Sequence, residues 1–394
     1  MRKIFFSPYI TFYIFSLQFF IWLIFMPNEL NLELKKYGMS YKYINELSFT
    51  RFVIIYFIFL FFIFIGTKIK LQFKKINFNK LNNYNNFLSF FWIIAEILSI
   101  KVVILNLKEV IRLYLDGKRG VVSELIRSNI LFTETFINLG PLILSISLFF
   151  YFNNYKKKRN LIKILLIFCG TLINGLLLFK RMHFVYSLFI WLYFLLNNKK
   201  GKGIMKYILF LFLFIFISEM LRFGSLYAYR EGKELVSIEV IKMVFQYLMI
   251  AYLASDFNNA MVILSNDSSY QLLSTASPFF QKLLFKLNGS VVSYATVKNW
   301  ESSYGTVNSM ALWWYDFGVY TVIICLIIGL TIGIVYGNFK RKSNKATSIQ
   351  IIAPIFVLGN IVMFRVNIFF TVVILMPLFF WFIYIILVYI LTKE

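Results

Sequence analysis

Apolar residues run almost unbroken for about twenty positions at a time, and short polar clusters separate the runs. The runs fall at 5–26, 51–67, 86–105, 129–151, 161–179, 182–197, 205–222, 318–338, 349–364 and 368–391. Each suits a helix through a hydrocarbon core about 30 Å thick. The pattern predicts an all-α polytopic integral membrane protein with about ten transmembrane helices, a single membrane domain over 1–394 and one large extracytoplasmic loop over 222–317. The first run ends at Met26-Pro27-Asn28 without a small-residue cleavage site, so it reads as a span and not as a signal peptide. Residues 236–254 are apolar enough for a further crossing, yet Glu239 and Lys242 lie within them. A charged side chain at mid-bilayer costs about 2.5–3.5 kcal/mol on insertion scales. The segment therefore reads as an interfacial or re-entrant helix, with an eleventh crossing as the alternative.

Composition sharpens this picture. Hydrophobic residues make up 60% of the 394 positions, against about 45–50% in soluble domains, and a soluble core could not hide them. The net charge of +24 would suggest nucleic acid in a soluble protein. Here the cations stand in short clusters between apolar runs, so no nucleic-acid partner is expected. Cys169 and Cys325 fall inside apolar runs and read as small hydrophobes. Abundant Phe, Ile, Lys, Asn and Tyr give the bias of an AT-rich bacterial genome.

Charge also orients the spans. Arg2 and Lys3, the lysines at 68–80, Lys156 to Lys163, Lys199 to Lys206, Lys340 to Lys345 and Lys393 occupy one alternating set of segments, whose only acid is Glu394. Short loops dense in Lys and Arg face the cytoplasm. Both termini are thus expected in the cytoplasm of a bacterial inner-membrane protein, with 222–317 outside.

Polar groups on the outer side are the candidate chemistry. Lys180-Arg181-Met182-His183 reads as a tight hairpin between spans. Arg222, Tyr229 and Arg230 open the loop, Asp256 follows the segment at 236–254, Trp313-Trp314-Tyr315-Asp316-Phe317-Gly318 closes it, and Arg365 begins the last span. Arg181, Arg222, Arg230 and Arg365 stand on a face where arginine is disfavoured. Guanidinium grips phosphate oxygens in bidentate fashion, so a phosphate or pyrophosphate is one reason to keep them. Snorkelling, or pairing with outer acids, is the other. His183, the lone histidine, and Asp256 are candidate bases. Asp316 is a candidate acid or a helix N-cap. The tryptophans are candidate sugar platforms or part of an aromatic interfacial belt. No Asp-x-Asp, Walker loop, Cys/His cluster or Gly-x-Ser-x-Gly is present in the sequence, so no metal site and no cofactor are expected.

These residues resemble a family, the O-antigen or oligosaccharide repeat-unit polymerases. The likeness lies in the topology and in residues about 180–337: Arg181 between mid-chain spans, Arg222 and Arg230 beside Tyr227 and Tyr229, Tyr252 to Asn259 ending in an Asn-rich turn, and Asn308 with Tyr315 to Gly318 ahead of a span carrying Gly329 and Gly333. Met182 and His183 stand where the family has a glycine beside the hairpin arginine. The resemblance implies a GT-C-like membrane glycosyltransferase. Such an enzyme joins undecaprenyl-pyrophosphate-linked oligosaccharides into O-antigen or capsular polysaccharide at the outer face, in contact with membrane lipid. A chain-length regulator and a flippase of the same pathway would be its partners. Arg222, Arg230, Asp256 and His183 would be catalytic, and Arg181, Arg365, Tyr229, Trp314 and Asp316 would bind pyrophosphate or glycan. Two alternatives remain. An O-antigen ligase-like transferase would differ only in its acceptor. A polysaccharide flippase or transporter would carry charges along a central path, and the inverted Gly/Pro-broken spans that mark many transporters do not stand out here.

Reporter fusions at Lys157, Lys200 and Lys342 are expected to report cytoplasm, and a fusion near Asp267 the opposite side. A cytoplasmic signal near Asp267 would reverse the orientation and remove the proposed site from the outer face.

Overall fold

The computed structural model describes residues 7–25, 46–71, 76–109, 136–177, 181–198, 204–249, 255–265, 309–341, 348–363, 369 and 372–391. Each of the ten apolar runs contains a helix. In order these are α1 (Ile10–Phe25), α2 (Glu46–Lys68), α3 (Phe78–Leu105), α4 (Gly140–Phe152), α5 (Lys157–Leu177), α6 (Arg181–Asn198) and α7 (Ile204–Glu219). A π-helical turn (Met220–Gly224) leads into α8 (Ser225–Glu231), followed by α9 (Ile238–Met249), α10 (Ser255–Ser265) and α11 (Ser309–Phe317). A 3-10 turn (Gly318–Tyr320) then leads to α12 (Thr321–Arg341), α13 (Ile349–Val362) and α14 (Val372–Leu391). No strand occurs among the described residues. The segments Glu46–Lys68, Phe78–Leu105 and Ser309–Asn338 are long and apolar enough to cross a membrane, and five shorter apolar helices accompany them. The protein is therefore all-α and carries the apolar helices of a membrane protein.

The chain forms two compact units. The first comprises 1–70, 205–338 and 359–371. Within it α2 and α12 approach closely. A Cβ on Gly333 would lie 2.2 Å from the Ile63 carbonyl oxygen and 2.8 Å from the Gly66 Cα, so the two backbones touch where no side chain fits. Cys325 Sγ lies 4.0 Å from the Ile55 carbonyl oxygen, and Asn338 Nδ2 donates to the Ile69 carbonyl at 3.0 Å. Residue numbers rise together on both helices, so α2 and α12 run parallel. Helix α1 runs antiparallel to α2, with Phe15 on Phe52 and Tyr56, and Phe19 on Phe49.

The second unit comprises 71–204, 339–358 and 372–394. Helix α4 is its axis, with every residue from Gly140 to Phe150 buried. Polar side chains join it to its neighbours. Asn85 Nδ2 donates to Ser147 Oγ at 3.1 Å, and Tyr155 Oη to Asn79 Oδ1 at 2.6 Å. These pairs make α3 and α4 antiparallel. Lys163 Nζ donates to Asn86 Oδ1 at 2.6 Å, and Gly170 lies against Trp92, so α3 and α5 run parallel. Ser145 Oγ donates to the Ile351 carbonyl at 2.5 Å. That carbonyl is one residue along from Gln350, whose carbonyl loses its helical donor to Pro354. Such bonds between membrane helices average about 0.6 kcal/mol each.

The described parts of the predicted loop at 222–317 are helical apart from 232–237. Helices α10 and α11 lie against each other and against α2. Helix α9 has 12 residues and spans about 18 Å at 1.5 Å per residue, short of a bilayer core of about 30 Å; residues 250–254 lie outside the described part.

If the α2–α12 contact holds the first unit together, Gly333→Leu should destabilise the protein by about 1–3 kcal/mol, the usual range for overpacking. Ile327→Ala, on the exposed face of α12, should change stability by less than about 0.5 kcal/mol. Thermal unfolding in detergent would compare the two; equal shifts would show that the close approach does not matter.

Candidate functional site

The outer residues chosen from the sequence divide between the two units. Arg181 and His183 belong to the second; Arg222, Tyr229, Arg230, Asp256, Trp314 and Asp316 belong to the first. Within the first unit, α10 and α11 bring the two acids into the helical core.

Helix α10 begins at Ser255-Asp256, an acid in the first turn where the helix dipole favours negative charge. Phe257 anchors it, with its ring 5.7–5.9 Å from those of Phe15, Phe19, Trp22 and Phe52. Contacts of this kind contribute about 0.5–1.5 kcal/mol beyond area burial. The anchoring carries Asp256, Asn258 and Asn259 into the interior, where Asp256 is fully buried and the two asparagines are 2% exposed. Asp316 is 1% exposed. It lies near the C-terminal end of α11, while α12 begins only at Thr321. Asp316 is therefore not a helix N-cap, which corrects that alternative. Burial of a carboxylate demands partners, and neither acid is without interactions.

The tryptophans are also placed differently from the sequence expectation. Trp313 is fully buried, with its ring centroid 6.0 Å from that of Phe59. It is a core residue and neither a sugar platform nor part of an interfacial belt, because burial removes it from both sugar and headgroup. Trp314 has one face covered by Arg51, whose Cζ lies 4.9 Å from the ring centroid. Its indole Nε1 is buried with no hydrogen-bond partner among the described residues.

Arg51 was passed over in the sequence. It sits in the second turn of α2 and donates from Nη1 to the Leu264 carbonyl at 2.8 Å. That carbonyl is in the last turn of α10, where backbone acceptors lack intrahelical donors. Arg51 thus joins α2, α10 and α11 through one hydrogen bond and one cation–π contact. The available signal was its place at the start of an apolar run, the same signal that singled out Arg365.

The other candidates are placed through the backbone. Arg222 lies within the π turn and Arg230 within α8. Widened turns of this type are frequent at functional sites. Tyr229 is 87% exposed. Arg365 lies outside the described residues. Arg181 begins α6 and His183 falls in its first turn, half-buried, its carbonyl accepting from Ser187 Oγ at 3.0 Å. The described part of the predicted hairpin at 180–183 is thus already helical. Among the described residues no three His, Cys, Asp or Glu side chains gather as a metal site would need.

Helix α8 ends at Gly232, whose φ of +62° is the left-handed conformation that suits a helix C-terminus. Lys233 then pairs with Glu239 across the turn and lies 5.8 Å from the Tyr227 ring centroid. The hydrogen bond from Lys233 and its charge hold the Glu239 carboxyl below its usual 4.5, and the same bond raises Lys233 above its usual 10.5.

The fold and the site define a class: an all-α protein built of apolar membrane helices, with polar chemistry gathered at helix ends. Compared with protein-family models, with curated proteins and with solved structures, the chain matches none.

The Lys233–Glu239 pair sets a pH window. The folded carboxyl is depressed, so its contribution is present above the ordinary carboxylate range and is lost as pH falls through the folded value. The lysine is raised, so its contribution is lost as pH climbs through its folded value. Once intrinsic exchange chemistry is corrected for, hydrogen exchange at Val240 and Ile241 should show constant protection from about pH 6 to 9 and weaker protection below about pH 4. Lys233→Met should remove the acid limb, and an unchanged limb would rule the pair out.

Proposed function

We propose that the chain is a membrane glycosyltransferase that polymerises undecaprenyl-pyrophosphate-linked oligosaccharide units at the outer face of the bacterial cytoplasmic membrane. One observation supports this reading most: in the first unit, the acids Asp256 and Asp316 are buried on adjoining helices that Arg51 also joins. The same unit contains the π turn that carries Arg222 and the helix α8 that carries Arg230. The parallel run of α2 with α12, and of α3 with α5, agrees with ten crossings in which even-numbered spans share one direction and odd-numbered spans the other. A GT-C-like arrangement belongs to the same proposal.

In the reaction, the bond between the anomeric carbon of the growing chain and its pyrophosphate oxygen breaks. A new bond forms from that carbon to a hydroxyl at the non-reducing end of the incoming unit. The hydroxyl proton passes to a base, and undecaprenyl pyrophosphate leaves with one more negative charge. Arginine donors aimed at the leaving oxygens stabilise that charge as it develops. Asp256 is the base that best suits the reading, because a dry site strengthens a carboxylate's pull on a nearby proton. Trp314, Tyr229 and Asp316 would contact the glycan, and Arg365 would support the pyrophosphate; Arg181 and His183 belong to the second unit and take no part in this scheme.

A transporter is the second reading, favoured by Glu96. This acid lies within α3, is 5% exposed, and sits beside Trp92 and Gly170. Ionisable groups inside membrane helices commonly mark transport paths. Movement of lipid-linked sugar in proteoliposomes without chain growth, abolished by Glu96→Gln, would favour it over the polymerase.

The polymerase reading is tested at the arginines. Removing a donor to a group that gains charge in the transition state slows reaction about 30- to 1000-fold. Arg222→Ala and Arg230→Ala should abolish long polymer at equal membrane levels. The lysine variants should be impaired less, since they keep charge but lose the planar fork. Normal chain length in both alanine variants would exclude these residues as the pyrophosphate site. Purified protein is also expected to elongate chains in excess EDTA; activity lost there and restored by Mg²⁺ would show that a metal does this work instead.

A further inference from the structure

Helix α9 shows three faces where a helix on a soluble surface shows two. At about 100° per residue, Val240, Met243, Val244, Tyr247 and Leu248 fall in one sector, and all five are buried. Glu239, Lys242 and Gln246 form a narrow polar stripe. Between them Ile238, Ile241 and Phe245 form an apolar sector that is 83%, 37% and 44% exposed.

The buried sector packs on the π turn and α8. The ring of Phe223 stacks on Tyr247 at 3.9 Å, and a Cβ on Gly224 would lie 3.1 Å from Val244 and 3.4 Å from Val240. Higher residues of α9 therefore meet lower residues of the preceding helix, so the two form an antiparallel hairpin. Phe216 and Ile215 of α7 pack against the same cluster. The tip of the hairpin is polar. Gly232 turns the chain, Lys233 pairs with Glu239, and Ser237 Oγ accepts from the Val240 amide at 3.4 Å as an N-cap. From this tip α9 runs back alongside α8 and the π turn toward the end of α7, and α7 itself exposes Leu209, Phe210, Phe212, Leu213 and Ile217.

We infer that α9 is a re-entrant helix whose Ile238–Ile241–Phe245 face lies against the acyl chains of the bilayer. Three observations fix that occupant. The apolar sector belongs to a helix that returns along α8 and the π turn toward α7, whose own exposed face is the apolar surface of a membrane helix. The charged groups concentrate at the tip, as they must if the tip stays at the headgroups while the body dips below. The polar stripe occupies a separate sector, so the helix can keep Lys242 and Gln246 toward water or headgroups while its apolar sector meets lipid. Tyr229, on the last turn of α8 at the tip, is exposed where membrane proteins place aromatic anchors.

The test uses the full chain in proteoliposomes. In a Cys169→Ser background, with Cys325 left buried in the core, spin labels are placed singly at Glu239→Cys, Ile241→Cys, Lys242→Cys and Phe245→Cys. Collision with oxygen, which concentrates in lipid, is compared with collision with a water-soluble nickel chelate. The oxygen-to-nickel ratio should peak at positions 241 and 245 and fall to its minimum at 239 and 242. Ile238→Cys gives the same reading near the tip should Phe245→Cys fail to insert. A uniform ratio around the helix would show that no sector of α9 selectively faces lipid and would overturn the inference. Labels at 241 and 245 that meet neither reagent would show that protein covers this face, and would overturn it equally. Neither result depends on whether the chain makes polymer.

Discussion

Hydrocarbon offers helices no hydrophobic reason to associate, because lipid tails are as apolar as leucine. Helices in such a medium are held by close backbone approach and by polar bonds that lipid cannot replace. The first unit depends on the approach of α2 to α12, where the Gly333 and Gly66 backbones meet and any larger side chain would part them. The second depends on side chains that reach across helices, such as Asn85 to Ser147 and Ser145 to the Ile351 carbonyl.

Aromatic packing holds α10 and α11. Phe257 enters a cage of four aromatic rings from α1 and α2, and Trp313 packs on Phe59 of α2. Hydrophobic anchoring carries Asp256 and Asp316 inward with their helices. The acids themselves disfavour burial, so the aromatic contacts must outweigh that cost, and the surrounding polar groups must lower it. Arg51 joins α10 and α11 to α2 by its hydrogen bond and its ring contact.

The helices were legible because their signal is long and repetitive: each apolar run in the sequence contains a helix in the structure. Their ends were less so. The segment entering α12 begins nine residues before its apolar run, at Ser309, where Trp313 and Asp316 are buried in the protein. Hydropathy averages over such residues and assigns them to a loop. The same limit hid Arg51. Its single charge inside an apolar run reads as a span boundary, and its importance lies in Leu264 and Trp314, more than two hundred positions away. The Asp-Phe-Asn-Asn stretch was visible as a polar cluster, but its depth depends on Phe257, which composition cannot distinguish from any lipid-facing phenylalanine.

The hairpin of α8 and α9 connects the proposed chemistry to the membrane. Arg222 lies in the π turn that Phe223–Tyr247 stacking and the Gly224 contact clamp to α9, and Arg230 follows one turn after the buried Tyr227. Their backbones are therefore fixed to a helix that, on the inference above, dips into lipid. A lipid-linked pyrophosphate is confined to the headgroup level by its own tail. Donors carried on a flexible aqueous loop would have to be ordered around it at each turnover, at a cost in conformational entropy. Arg230, whose backbone lies at the tip of the hairpin, is already held at that level, with Arg222 about two turns further along the same helical segment. Preorganisation of this kind lets a charge interaction act on the transition state without first ordering the site, and it gives the chain a physical reason to fold this segment back onto α7.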